Sequence, residues 1–333
     1  MVMTAPRCTA SHYIDFLLAT PKVVSATEAA RVQPDRPHPP AHDAFTRLLH
    51  RLEPDPAALW AEVEPLVRRS GGDLVVDDST LDKPYARHIG LVSRHWSGKH
   101  HAVVRGINLL TLVWTDGDRL YPCDYRLYDK AGDGKTKNDH FRDLLETARG
   151  RGFRPRCVLF DSWYASLENL KQVHGYGWTF LTRLKANRLV SPAPGRRLAV
   201  AAADVAAAGT ALHLPGFGKV KVFRLVAPDG DTQHWATNDL GMGELGRLRH
   251  AEQSWAVEEY HRGLKQYCGA EKAQVRAADA QRNHIGCSIR AFVRLEYHRF
   301  STGVSWFEAK AQVIRSAIRA YLAQPLYLLP STA

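Results

Sequence analysis

The chain has 333 residues, 45% hydrophobic and 24% charged, the composition of a globular protein with a sizeable core, long enough for about two domains or one domain with an insertion. Lys and Arg exceed Asp and Glu by 45 to 34, giving a net charge of +11, which favours a nucleic acid or another anionic surface over an acidic protein partner. Five scattered cysteines without a Cys-x-x-Cys pair argue against a disulfide framework or a zinc site and suit a reducing compartment, and no apolar stretch is long enough for a membrane span.

Residues 11–70 read as short helices broken by the Pro-rich hinge Pro34-Asp35-Arg36-Pro37-His38-Pro39-Pro40. Tyr13, Phe16 and Leu17 share one helical face, and Asp43 and Asp55 are expected to cap the next two helices before Gly71-Gly72. From residue 73 the period changes to that of strands, at 73–78 and in a hairpin of 102–115 and 119–128 turning at Asp116-Gly117-Asp118. A helix near 138–150, a strand at 156–161, a helix near 165–174 and a strand at 177–184 follow, and residues 185–240 read as a β-rich insertion. Helices are expected at 243–252, 254–268, 276–300 and 305–323. The N-terminus lacks the apolar core of a signal peptide, so the expectation is a soluble, cytoplasmic protein.

Three acids stand out by context. Asp78 follows the apolar run Leu74-Val75-Val76, Asp161 follows Cys157-Val158-Leu159-Phe160, and Glu258 lies in an amphipathic segment from Trp255. Two carboxylates at strand ends and a third on a helix suit a pair of hard divalent cations, which activate water or a 3′-hydroxyl against a phosphodiester. Glu259, the rival of Glu258, faces about 100° away on the helix. Around these acids lie two basic stretches without an acid: 83–105, with Lys83, Arg87, Arg94, Lys99 and Arg105, and 183–197, with Arg183, Lys185, Arg188, Arg196 and Arg197. With Arg262 and Lys265 on the helix of Glu258, they are candidate phosphate contacts. His95, His100 and His101 are expected in a polar loop, without the spacing of a helical metal site.

Val75-Val76-Asp77-Asp78-Ser79-Thr80, Lys83-Pro84-Tyr85, the segment from Asp124 to Lys130, Phe160-Asp161-Ser162-Trp163-Tyr164, the segment from Trp255 to Lys265 and Gln281-Arg282-Asn283-His284-Ile285 resemble the DDE transposases of bacterial insertion sequences, in the branch with a β-stranded insertion between the second Asp and the Glu. The resemblance selects Asp78 over Asp77 because the family's first acid precedes Ser or Thr. Related enzymes carry a Tyr and an Arg seven and four residues before the Glu and a Lys seven after it, positions held here by Ala251, Ser254 and Lys265.

The resemblance implies an α/β, RNase H-like catalytic core with a β-rich insertion and a small helical N-terminal domain. The expected divisions are 1–72, 73–184, 185–241 and 242–333. Two Mg²⁺ ions, replaceable by Mn²⁺, are expected on Asp78, Asp161 and Glu258. The expected partners are double-stranded DNA, both element terminal repeats and target, and a second copy of the chain on that DNA. Two alternatives stay open: a catalytically degenerate DNA-binding regulator, and an RNase H-fold nuclease without strand transfer.

Overall fold

The computed structural model describes residues 8–35, 37–97, 101–227 and 230–325, so Arg36, Lys99 and His100 lie outside the described residues. The elements in chain order are α1 (Ala10–Ala19), α2 (Ala26–Arg31), α3 (His42–Arg51), α4 (Ala57–Val63), β1 (Asp73–Asp82), β2 (Ser93–Ser97), β3 (Ala102–Thr115) and β4 (Leu120–Tyr128). There follow α5 (Lys137–Gly150), β5 (Cys157–Phe160), α6 (Leu167–Gly175), β6 (Phe180–Leu184), β7 (Leu189–Ala193), β8 (Arg196–Ala199), β9 (Thr210–Leu214), β10 (Gly218–Val226) and β11 (Thr232–Thr237). Helices α7 (Glu244–Gln253), α8 (Trp255–Tyr267), α9 (Ala278–Thr302) and α10 (Trp306–Ala323) complete the chain. It divides into two compact units, one of Pro56–Arg87 and Leu91–His261, the other of Met1–Asp55, His88–Gly90 and Arg262–Ala333.

The first unit is built on one mixed sheet of eleven strands among the described residues, in the order β2-β3-β1-β5-β6-β11-β10-β9-β7-β8 with β4 also on β3. β1 runs antiparallel to β3 and parallel to β5, and β5 runs parallel to β6. Parallel neighbours need a crossover, and α6 supplies it between β5 and β6. Leu74, Val75 and Val76 are all buried because β1 is covered on both faces, so its apolar residues run continuously instead of alternating. On one face Phe141 of α5 meets Phe160 edge to face at 5.1 Å; on the other His250 Nδ1 of α7 lies 2.6 Å from Asp73 Oδ2. Gly106 pairs with both Asp82 and Ser93, and a Cβ there would come within 2.5 Å of the Leu81 carbonyl oxygen, so a bare backbone is required.

The β-rich insertion is present but is not a separate layer. β11 pairs with β6 and with β10, so the insertion's strands prolong the core sheet. β11 itself is absent from the sequence reading, because Thr232-Gln233-His234 begins it with polar side chains. The polar segment holding His95 proves to be strand β2: His95 and Ser97 are buried while Arg94 and Trp96 face out, an alternation carried by polar residues and hidden from a search for apolar ones. The expected caps also shift. Ala41 and Pro56 hold the N-cap positions of α3 and α4, and Asp43 sits in the first turn of α3, paired with Arg47 at 2.6 Å.

In the second unit α9 is the central element. Tyr13 of α1 places its hydroxyl 2.9 Å from His284 Nδ1, and Asn283 Nδ2 donates to the carbonyls of Leu49 and Leu52 at 2.8 and 2.7 Å, satisfying the end of α3. Lys310 of α10 does the same for α1, donating to the carbonyls of Leu17, Leu18 and Thr20 at 3.1, 2.5 and 3.1 Å. Burial depresses its ammonium from 10.5 to about 8. Lys310→Met should cost about 2–3 kcal/mol near neutral pH, since it strands three carbonyls. The unfolded chain holds the Lys310 proton more tightly, so between pH 8 and 10.5 wild type should gain stability relative to the Met variant as pH rises. Denaturant titration of both proteins at two pH values checks the size and the sign.

Candidate active site

Asp77 and Asp78 are adjacent on β1, so their side chains leave opposite faces of the sheet. Asp78 points to the α5 face. Its Oδ2 accepts hydrogen bonds from Asn108 Nδ2 at 2.6 Å and Lys137 Nζ at 2.7 Å, and its Oδ1 accepts one from the Tyr164 hydroxyl at 2.5 Å. Each donor is itself held. Asn108 lies on β3, Lys137 opens α5 behind a capping box made by Thr136 and Asp139, and Tyr164 stacks on Phe141 at 5.2 Å. Burial pushes the Asp78 carboxyl up, but the Lys137 ammonium and the three hydrogen bonds outweigh it and hold the group below the ordinary range.

Asp77 faces the other way. The parallel register of β1 and β5 ends at Val76 opposite Phe160, so Asp77 and Asp161 are the residues that follow the last pair, Asp161 having left the strand. Burial, then the negative charges of Asp78, Asp161 and Glu258, push the Asp77 carboxyl well above its ordinary value. Asp161 Oδ1 accepts from the backbone N–H groups of Trp163 and Tyr164 at 2.9 and 3.4 Å. Its carboxyl is raised by burial and by repulsion from Asp78, against the pull of those two N–H groups and of Arg183. Glu258 stands exposed in the first turn of α8, with its field reaching Asp77.

The three acids singled out from sequence thus share one electrostatic neighbourhood with a fourth, Asp77. Among the described residues no three His, Cys, Asp or Glu side chains converge on one point as a ready-formed metal site.

The candidate phosphate contacts divide. Lys83 is corrected: only 3% of it is exposed, since it follows β1 into the core with its N–H on the Arg105 carbonyl at 2.9 Å, so its ammonium does not face a passing DNA backbone. Arg87 is exposed and Arg188 half-buried. Arg262 and Lys265 belong to the other compact unit, where Lys265 Nζ lies 3.4 Å from Glu271. His95 is buried with Nε2 2.7 Å from Ser93 Oγ, and burial and Lys137 hold its ring below the usual histidine range. Lys137 and Asn108 are absent from the sequence reading, and Tyr164 enters it only as part of the motif around Asp161, with no role of its own. Asn108 had a signal, an amide inside the apolar run Ile107-Asn108-Leu109-Leu110, because a polar group buried in a strand needs a partner.

Strand order and crossover helix, with acids in the middle of β1 and directly after β5, make a mixed α/β core of RNase H-like form. The family follows from sequence: the profile described as DDE superfamily endonuclease matches residues 3–204, well over half of the chain, and the chain belongs to that family. The matched segment includes Asp77, Asp78 and Asp161 and stops short of Glu258. No curated protein is significantly similar in sequence. Among solved structures, the piggyBac transposase synaptic complex with hairpin DNA aligns over 100% of this chain and 79% of its own, with TM-score 0.52 and 11% identity, a likeness of fold. The Mos1 strand transfer complex aligns over 94% and 80% with TM-score 0.21 and 12% identity. No helix among the described residues is long and apolar enough to cross a membrane.

Proposed function

We propose that the protein is a DNA transposase that cuts and joins the ends of a bacterial insertion sequence, working as a homodimer on double-stranded DNA. The observation that carries this reading is the set of carboxylates from the middle of β1, the residue after β5 and the start of α8 that act on one another electrostatically, in a chain of the DDE family. The donors are hard oxygens, and the charge of Asp77 is opposed by burial and by three neighbouring acids, a repulsion that a bound divalent cation would relieve. The residues fit Mg²⁺, with Mn²⁺ as a substitute. When bound, a pair of such ions lowers the pKa of an attacking water or 3′-hydroxyl and stabilises the leaving oxygen.

The first member of the set is assigned to Asp77, in revision of the preference for Asp78. Asp77 follows the last β1–β5 pair and lies in the fields of Asp161 and Glu258, whereas both oxygens of Asp78 accept hydrogen bonds from Asn108, Lys137 and Tyr164. Asp78 then acts as a positioning residue that fixes β1 against α5 and the loop after β5. Arg87, Arg188, Arg262 and Lys265 are proposed to contact DNA phosphates, and the +11 charge supplies the attraction.

The test is incubation with DNA carrying the host element's terminal repeats, with and without Mg²⁺. Metal-dependent nicking and joining is expected. Binding without cleavage would identify a regulator, for which Ala251 and Ser254 in place of the family's Tyr and Arg would be the reason. Cleavage without joining would identify a nuclease. If about six phosphates are contacted, log K should fall with a slope of roughly −5 against log salt, and a flat dependence would remove DNA as the partner.

A further inference from the structure

Beside Asp161 lies a cavity of about 510 Å³ to which the reaction above gives no role. Its size is within the ~300–1,000 Å³ of small-molecule sites. Trp163, two residues beyond Asp161, forms one wall, Ser166 at the start of α6 another, and Lys185, Asn187, Arg188 and Leu189 between β6 and β7 the rest.

Three observations set the ligand. No carboxylate lines the cavity among the described residues. The indole of Trp163 is 56% exposed, unusual for so large an apolar group, with the Lys185 ammonium 5.1 Å from the ring centre. Arg188 is half-buried, and desolvation lowers its pKa with no carboxylate paired to it among the described residues. A guanidinium drawn partly out of water beside an open aromatic face calls for a ligand that is both anionic and flat.

We infer that this cavity takes one unpaired nucleotide of the DNA end, its base stacked on Trp163 and its phosphate on Arg188. The inference rests on the reading of the protein as a transposase. Stacking on one aromatic ring is tolerant of sequence, since every base has a π face. The position beside Asp161 means that a strand held here is anchored next to the bond to be cut. It also gives the edge of the insertion, Arg188 and Leu189, a direct part in holding the substrate.

The test uses the full-length protein and two duplexes of equal length, one flush and one forked with 2-aminopurine in its unpaired arm. Wild type should quench 2-aminopurine on the fork and bind the fork more tightly than the flush duplex. Trp163→Ala should abolish the quench and weaken fork binding roughly tenfold, leaving flush binding within about twofold. Trp163→Phe, which keeps a stacking face, should retain most of both. Arg188→Gln should weaken fork binding several-fold while the quench persists at saturation. An equal quench in wild type and Trp163→Ala would overturn the inference. So would quenching of the free 2-aminopurine deoxynucleotide with none on the fork, which would mark a free-nucleotide site. Tight binding of both duplexes without fork preference would remove this inference and leave the proposed function standing, whereas failure to bind either would remove both.

Discussion

Asp161→Asn should abolish strand cleavage while leaving DNA affinity within about twofold of wild type, or slightly higher. The carboxylate is held by the N–H groups of Trp163 and Tyr164, and an amide oxygen can keep the same hydrogen bonds, so the loop keeps its shape. What disappears is one negative charge from a metal-binding set, an interaction worth several kcal/mol in the transition state, which corresponds to about a thousandfold or more in rate. Removing that charge also relieves a repulsion against phosphate, hence the expected direction for binding. Single-turnover nicking of the terminal-repeat DNA measures the first effect and a mobility shift the second. Cleavage by the variant at the wild-type rate would show that this carboxylate takes no part in the chemistry.

Asp77→Asn and Asp78→Asn should separate the two neighbours on β1. The first should lose cleavage about as completely as Asp161→Asn, and it should be at least as stable as wild type, because it removes a buried charge repelled by Asp78, Asp161 and Glu258. The second should cost about 2–3 kcal/mol of stability through its weakened bonds to Lys137 and Tyr164, and keep measurable cleavage. The folded Asp78 carboxyl titrates below its ordinary value, so its stabilising contribution is present above about pH 4 and fades as pH falls through that range. The stability gap between wild type and Asp78→Asn should therefore be full near neutrality and shrink in acid. Denaturant melts at several pH values, set beside nicking rates, give both halves. If Asp78→Asn is stable and inert while Asp77→Asn cleaves, the assignment reverts to Asp78.

Much of the core was readable because its signals are local. The run Leu74-Val75-Val76 before two acids, the matching run before Asp161 and the helical spacing around Glu258 each mark their element without tertiary information, and β5 and α8 fall within a residue of the expected bounds, whereas β1 runs four residues past the expected 78, to Asp82, and so holds Asp77 and Asp78 in mid-strand. The choice between Asp77 and Asp78 was not readable in that way. It depends on which face of β1 meets α5, and that is set by the register with β3 and β5, a property of pairing. Lys137 was hidden for the same reason: nothing in Gly134-Lys135-Thr136-Lys137 says that its ammonium reaches a residue 59 positions earlier. Lys83 misled in the opposite sense, since a cation in an acid-free stretch reads as surface while the fold buries it.

The placement of β11 between β6 and β10 has a consequence for anyone trimming the protein. An insertion hung on two flexible joints can be cut away, leaving its host whole. Here, excising residues 185–241 would remove β11 and strip β6 of the partner that covers its backbone from Leu181 to Leu184, and with it every strand beyond. The parallel pair carrying Asp161 would then end in an open row of N–H and C=O groups, a template for another chain to add to. A minimal catalytic fragment made by that route would be sticky before it was inactive. The insertion is thus part of the scaffold that keeps the acid-bearing strands solitary, and a shortened version would have to retain β11 and a cover for its far edge.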